Sequence, residues 1–154
     1  MAIGHLTFPC LVGRNGRVHR KREGDGATPV GCWRLLEVHC RRDRLPRPLT
    51  ALPVRNSKVG EAWCEDPADR RYNRKITRPP GSGDGFWRTD GAFDIVMPTS
   101  HNQRPRIRGG GSAIFFHLTR EGSVATAGCV ALSRRDMLKV LRLCRRVTVL
   151  RVWP

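Results

Sequence analysis

Short apolar runs, separated by glycine, proline and charge, organise this chain more clearly than any long helical stripe. The first run covers residues 6–12 and stops at Gly13. Asn15-Gly16 follows, a strong two-residue hairpin signal, so the pattern predicts a strand, a tight turn and a second strand over 17–21. Glu23-Gly24-Asp25-Gly26 reads as a loop, and Thr28-Pro29 as the structural entry to a strand over 30–40. Residues 41–85 are rich in Pro, Gly and charge, with one short candidate strand near 49–54. A stretch that long without periodicity is either functional or clamped to a sheet. Asp90-Gly91 predicts a turn, and 93–97, 113–118, 128–132 and 147–152 predict strands, the second of them central and buried. One helix stands out. Ser133-Arg134-Arg135-Asp136 is a capping pattern, and Met137, Val140, Leu141 and Cys144 fall at i, i+3, i+4 and i+7 behind it. The expected fold is mainly β, a strand-and-loop architecture in one domain over residues 1–154 with a single helix near the C-terminal end.

Composition narrows the functional classes. The 154 residues contain 29 Lys+Arg against 13 Asp+Glu, a formal net charge of +16, and 39% hydrophobic residues, enough for one modest core. No apolar run is long enough for a transmembrane helix. Such a charge attracts polyanions. The basic residues are nevertheless spread in pairs and triplets such as Arg20-Lys21-Arg22 and Arg145-Arg146, as on a solvated surface. No nucleic-acid motif accompanies them, so a non-enzymatic nucleic-acid-binding module is only the remote alternative. The residues Met1 to Leu6 show no basic segment followed by a long apolar run, hence no secretory signal in this chain.

The six cysteines (Cys10, Cys32, Cys40, Cys64, Cys129, Cys144) include no Cys-x-x-Cys pair. His39-Cys40 with Cys32 and Cys64 is too irregular for a zinc site, so no metal is expected and most cysteines read as buried small hydrophobes. One histidine and one cysteine stand apart. His117 lies inside the most hydrophobic predicted strand, and Cys129 follows twelve positions later in Thr126-Ala127-Gly128-Cys129. A cysteine nucleophile needs a base in reach and a turn whose N–H groups face a developing oxyanion. The small residues of this turn would let a substrate carbonyl approach the backbone closely. On spacing alone, a core histidine and a packed cysteine fit as well.

The sequence resembles the L,D-transpeptidase (YkuD-like) catalytic domain, whose signature is a histidine, a loop, then Ser/Thr-x-Gly-Cys-hydrophobic. Here it reads His117, then Thr126-Ala127-Gly128-Cys129-Val130. Lys21 to Gly31, Tyr72-Asn73, Phe86 to Asp90 and Gly111 to His117 look like one branch of that family, so the likeness runs from about residue 10 to the C-terminus. The resemblance implies an L,D-transpeptidase-like β-sandwich of mixed sheets and a cysteine-dependent acyltransferase. It implies peptidoglycan stem peptides as substrate, no cofactor, carbapenem-type compounds as possible inhibitors, and work in the bacterial periplasm or cell envelope. Cys129 would form a thioester with the stem's diamino acid and release D-alanine, and His117 would move the protons. Backbone N–H groups of Gly128 and Cys129 would hold the oxyanion. A second stem's amine or a free D-amino acid would complete the transfer; with water as acceptor the same site is an L,D-carboxypeptidase or endopeptidase.

The chain departs from the family pattern at Ala127, where many members have histidine, and at Ala131, where many have arginine. Its His-to-Cys interval is also short. Arg134, Arg120 and Arg88 are the candidates to replace the arginine, with Arg134 preferred for its nearness in sequence. Ser112, Thr126, Tyr72 and Asn73 are further candidate substrate contacts, the last two as part of a lid. His101 is expected to be structural, and Trp33, Trp63, Trp87 and Trp153 to pack in core and loops.

Overall fold

The computed structural model describes residues 1–79 and 85–154. In chain order the strands are β1 (Ala2–Ile3), β2 (Leu6–Thr7), β3 (Arg17–Val18), β4 (Thr28–Pro29), β5 (Gly31–Arg34), β6 (Val38–Cys40) and β7 (Val54–Asn56). Then come β8 (Glu61–Trp63), β9 (Lys75–Thr77), β10 (Ile95–Pro98), β11 (Phe115–Leu118), β12 (Val130–Leu132), helix α1 (Arg134–Leu143) and β13 (Val149–Val152). Five strands form the central sheet in the order β12-β11-β10-β6-β7, antiparallel in the middle and parallel at both edges. Among the described residues the fold is mainly β with one helix near the C-terminus, as the pattern predicts, and its sheets are mixed, as the resemblance implies.

Period-two alternation divides the sheet into two chemically different faces. Ile95, Met97, Phe116, Leu118, Val130 and Leu132 point to one side. There they meet Met137, Val140 and Leu141 of α1, and Leu150 and Val152 of the β5–β13 ribbon. This is the main core. Val96 and Phe115 point to the other side, where Phe86, Phe93 and Trp63 make a smaller aromatic cluster that also touches Cys129. Phe115 lies edge-on to Phe86, Phe93 and Trp63 at 5.7, 5.8 and 5.2 Å, a preferred aromatic geometry. The helix starts as expected: Ser133 Oγ accepts from Asp136 N–H at 3.1 Å.

Several expected elements are placed differently. The turn at Asn15-Gly16 exists, closed by Gly16 N–H on Gly13 O at 2.9 Å, but its flanks do not form a hairpin. Only Gly16 has positive φ there, whereas a type I′ turn needs it at both central residues. Leu11 instead bridges Ala131, Gly13 bridges Thr126, and β3 pairs in parallel with β4. The strand expected over 30–40 is two strands, because the chain crosses at Leu35–Glu37 from the ribbon with β13 into the central sheet. The unpatterned middle contains the antiparallel pair β8–β9, and the strand near 49–54 lies later, at β7. Trp153, expected to be packed, is 59% exposed and is covered by the Arg151 guanidinium at 3.7 Å. Trp33, Trp63 and Trp87 do pack: Trp33 edge-on to His101 at 4.8 Å, Trp63 in the aromatic cluster, and Trp87 beneath the Arg41 guanidinium at 3.6 Å.

Candidate active site

Parallel neighbours need a long connection, because the chain must return to the starting end of the sheet. Residues 119–129 make that return between β11 and β12. It delivers Cys129 to the position just before β12, beside Phe115, while His117 pairs with Ala131 two rungs further on. Residues 129 and 131 share a face with 115 and 117, so Cys129 and His117 project from the same, aromatic face of adjacent strands. At ordinary strand spacing and rise their backbones are separated by roughly 8 Å. Both line one open cleft of about 1030 Å3.

The loop that carries Cys129 is held from three directions. Thr126 Oγ1 donates to Cys129 O at 2.7 Å and accepts Gly128 N–H at 3.1 Å. Thr28, fully buried, accepts Gly13 N–H at 2.8 Å through Oγ1, whose hydroxyl lies 3.4 Å from Cys129 O. The segment before Asn15 closes the clamp: Arg14 N–H donates to Thr126 O, and Thr126 N–H to Val12 O, each at 2.9 Å. Thr28 thus has a positioning role that its place in sequence did not show. Gly128 has φ +139°, and a Cβ there would stand 2.8 Å from Ala27 O. Gly128→Ala is expected to combine backbone strain with that clash, costing about 1–3 kcal/mol from the strained conformation alone. A thermal melt should show the loss, and displacement of the Cys129 backbone should lower thiol acylation with it.

At the sulfur, Sγ–H donates to Ala113 O at 3.2 Å and Sγ accepts Phe115 N–H at 3.4 Å. Ala113 has φ +51°, unusual for a residue with a side chain, and its N–H is fixed on Asn73 Oδ1 at 3.1 Å. Burial pushes the Cys129 thiol up to about 11, with the Phe115 N–H working in the opposite direction and the Glu65 carboxylate adding to the rise. The resting sulfur is therefore a protonated thiol. His117 Nδ1–H donates to Leu118 O at 2.8 Å, which leaves Nε2 with the lone pair. Burial also holds this imidazole below its ordinary value, so it is neutral. No hydrogen bond joins the two groups at rest. For a proton to pass between them, the thiol must first turn away from Ala113 O.

The remaining sequence candidates separate into three groups. Ser112, Thr126 and Arg88 line the cleft with Cys129, and so does Arg120. Arg88 forms a two-pronged pair with Asp90 at 3.0 and 2.6 Å, and Arg120 approaches the same carboxylate at 3.6 Å. Arg134, the preferred replacement for the missing arginine, is elsewhere: on α1 it pairs with buried Asp94 at 2.7 Å and does not line the cleft. Nearness in sequence misleads because α1 packs on the opposite face of the sheet. Tyr72 and Asn73 lie behind the cleft wall, each 2% exposed, rather than in a lid. Asn73 Oδ1 accepts from Trp63 Nε1 and Ala113 N, and its Nδ2 donates to His101 O and Asn102 O. It is an anchor for the cleft floor. His101 is structural, with Nε2–H on Gly110 O at 3.0 Å.

Sequence reasoning missed Glu23, Glu65 and Phe93 as cleft residues. Phe93 stands edge-on to His117 at 5.3 Å. The only advance signal for the carboxylates was their scarcity in so basic a chain. Of the four residues weighed for a zinc site, Cys40 and Cys64 are buried, Cys32 is exposed, and His39 Nε2 lies 2.8 Å from Glu37 Oε1. Among the described residues no group of three or more His, Cys, Asp or Glu converges on a metal position, and no helix is long and apolar enough to cross a membrane.

Comparison with known proteins gives one match. The family model of the YkuD L,D-transpeptidase catalytic domain covers residues 4–152. No curated protein and no solved structure matches the chain.

Proposed function

The chain belongs to the L,D-transpeptidase catalytic-domain family, whose members act on peptidoglycan peptides, and from that premise we propose that it is a cysteine acyltransferase of the bacterial cell envelope, with Cys129 as nucleophile and His117 as proton carrier. The observation that carries this reading is their placement on one face of adjacent parallel strands, over a common cleft.

The chemistry follows from the resting state. His117 Nε2 takes the thiol proton as Sγ bonds to the carbonyl carbon of the stem's diamino acid, whose carbonyl electrons move onto oxygen. Gly128 N–H is already engaged by Thr126 Oγ1, so the Cys129 N–H is the backbone donor left for that oxyanion. Collapse breaks the C–N bond, the imidazolium returns its proton to the leaving amine, and D-alanine departs from a thioester. An acceptor amine then attacks the thioester carbonyl, His117 removes its proton, and Sγ leaves as the new amide forms and is reprotonated. The Arg88–Asp90–Arg120 cluster replaces the missing arginine as the cationic group of the cleft. Its guanidinium groups, held on Asp90, are the candidates to meet a substrate carboxylate.

Purified disaccharide-tetrapeptide muropeptides provide the test. D-alanine release with a cross-linked product joining two diamino acids is expected. Hydrolysed tripeptide as the sole product would move the reading to an L,D-carboxypeptidase, and no D-alanine release under any condition would refute it. An oligonucleotide affinity that falls steeply with salt and is unaffected by Cys129→Ala, with no release activity, would favour a basic binding module instead.

A further inference from the structure

The β5–β13 ribbon exposes apolar side chains on the face that it does not bury. Alternation along β13 sends Leu150 and Val152 into the main core and turns Val149 and Arg151 outward. On β5 the outward residues are Cys32 and Arg34, which stand opposite Arg151 and Val149. Trp153 belongs to this outer face, because its ring lies under the Arg151 guanidinium at 3.7 Å. The turn before β13 carries Val147 and is tied to the same end of the ribbon, where Leu35 N–H lies 3.5 Å from Thr148 O. Val147 is 83% exposed, Trp153 59% and Val149 48%. The charge around them is one-sided. Residues 137–154 contain Lys139, Arg142, Arg145, Arg146 and Arg151 but no Asp or Glu, and residues 26–36 contain Arg34 and no acid. Arg55 and Arg71, exposed elsewhere, are each paired with a carboxylate. Arg34, Arg145, Arg146 and Arg151 are exposed and form no ion pair among the described residues.

Unpaired arginines alone would suit any polyanion. The side chains set among them decide the class of partner. Val147 and Val149 gain only where water is excluded, and an indole with a polar edge gains most between lipid headgroups and acyl chains. A soluble polyanion supplies the opposite charge without the apolar layer, whereas an anionic bilayer supplies both. We propose that the outer face of the β5–β13 ribbon, with the turn before β13, docks on an anionic phospholipid surface. Arg34, Arg145, Arg146 and Arg151 meet the lipid phosphates, and Val147, Val149 and Trp153 enter the headgroup boundary. The ribbon covers the core face of the central sheet, and the cleft opens on the aromatic face. Docking therefore leaves the cleft on the far side of the sheet, free to receive a large substrate. The inference does not depend on the reaction that the cleft performs.

Vesicles provide the test, read by co-sedimentation and by tryptophan emission of the full chain. One set is phosphatidylcholine alone, and the other contains phosphatidylglycerol as well. Binding is expected to the anionic vesicles only, with a blue shift of emission. Trp33, Trp63 and Trp87 are packed, so the shift should vanish in Trp153→Phe. Each arginine removed from the face should weaken partitioning about fivefold at low salt, and Arg34→Gln with Arg146→Gln about 25-fold. Val147→Ser with Val149→Ser should weaken it roughly tenfold while leaving the charge intact. Arg70→Gln with Arg74→Gln removes the same charge beside the β8–β9 pair and should cost less than about twofold. All these side chains are exposed, so melting temperatures should stay near wild type. No preference for anionic vesicles, no emission shift, or equal losses from the two arginine pairs would overturn the proposal. So would tighter binding to soluble polyphosphate that ignores the valine substitutions, which would make the partner a soluble polyanion.

Discussion

Cys129→Ala is expected to reduce D-alanine release from tetrapeptide muropeptides by at least roughly 10^3-fold, and Cys129→Ser to do nearly the same. The alanine variant removes the thiol proposed to form the covalent intermediate. Its fold should persist, because Sγ contributes two weak bonds, at 3.2 and 3.4 Å, to a loop already held by Thr126, Thr28 and the strand backbone. Serine keeps the size and the donor. Its alcohol is a far weaker nucleophile than a thiol at neutral pH. A melting temperature near wild type with lost release therefore separates chemistry from stability. Retained release in both variants would mean that another group attacks.

His117→Ala is expected to lower the same rate by about 10^2–10^4, the usual range for loss of a positioned general base. The pH profile carries more information than the rate. With the thiol raised to about 11 and the imidazole held below its ordinary value, the working resting state is thiol plus neutral imidazole. Wild-type activity should be full near neutrality. It should fall as pH drops through the lowered His117 value, where the imidazole becomes protonated and can no longer accept the thiol proton. In His117→Ala this acid limb should disappear. The residual rate should then climb with pH toward the thiol's own ionisation. An unchanged acid limb in the variant would assign it to another group.

The outline of this site was legible in the sequence for specific reasons. A histidine in a strongly apolar run and a Gly-Cys turn are both visible locally, and their twelve-residue interval matches the return connection of a parallel strand pair. The cap of α1 was legible because Ser133 and Asp136 act within one turn. Features that depend on long-range pairing were not. The Asn15-Gly16 signal was outcompeted by Thr126, Ala131 and Gly26, all distant partners for the same backbone. Asn73 looked like a substrate contact because a polar residue in an irregular stretch gives no sign that four groups far along the chain will occupy its amide. Arg134 looked near Cys129 in sequence, yet one step into a helix on the other side of the sheet removed it from the cleft. Glu23 and Glu65 are 42 positions apart, and only the folded chain sets them in one wall.

The most direct test of Cys129 as the nucleophile is intact-protein and peptide mass spectrometry after incubation with a carbapenem. Six free cysteines are present, and Cys32 is the exposed one, so the experiment contains its own competitor. The account predicts a single acyl adduct, mapped to Cys129, absent from Cys129→Ala and formed much more slowly in His117→Ala. An adduct on Cys32 that ignores both substitutions, or no adduct on Cys129 in the wild-type protein, would contradict it.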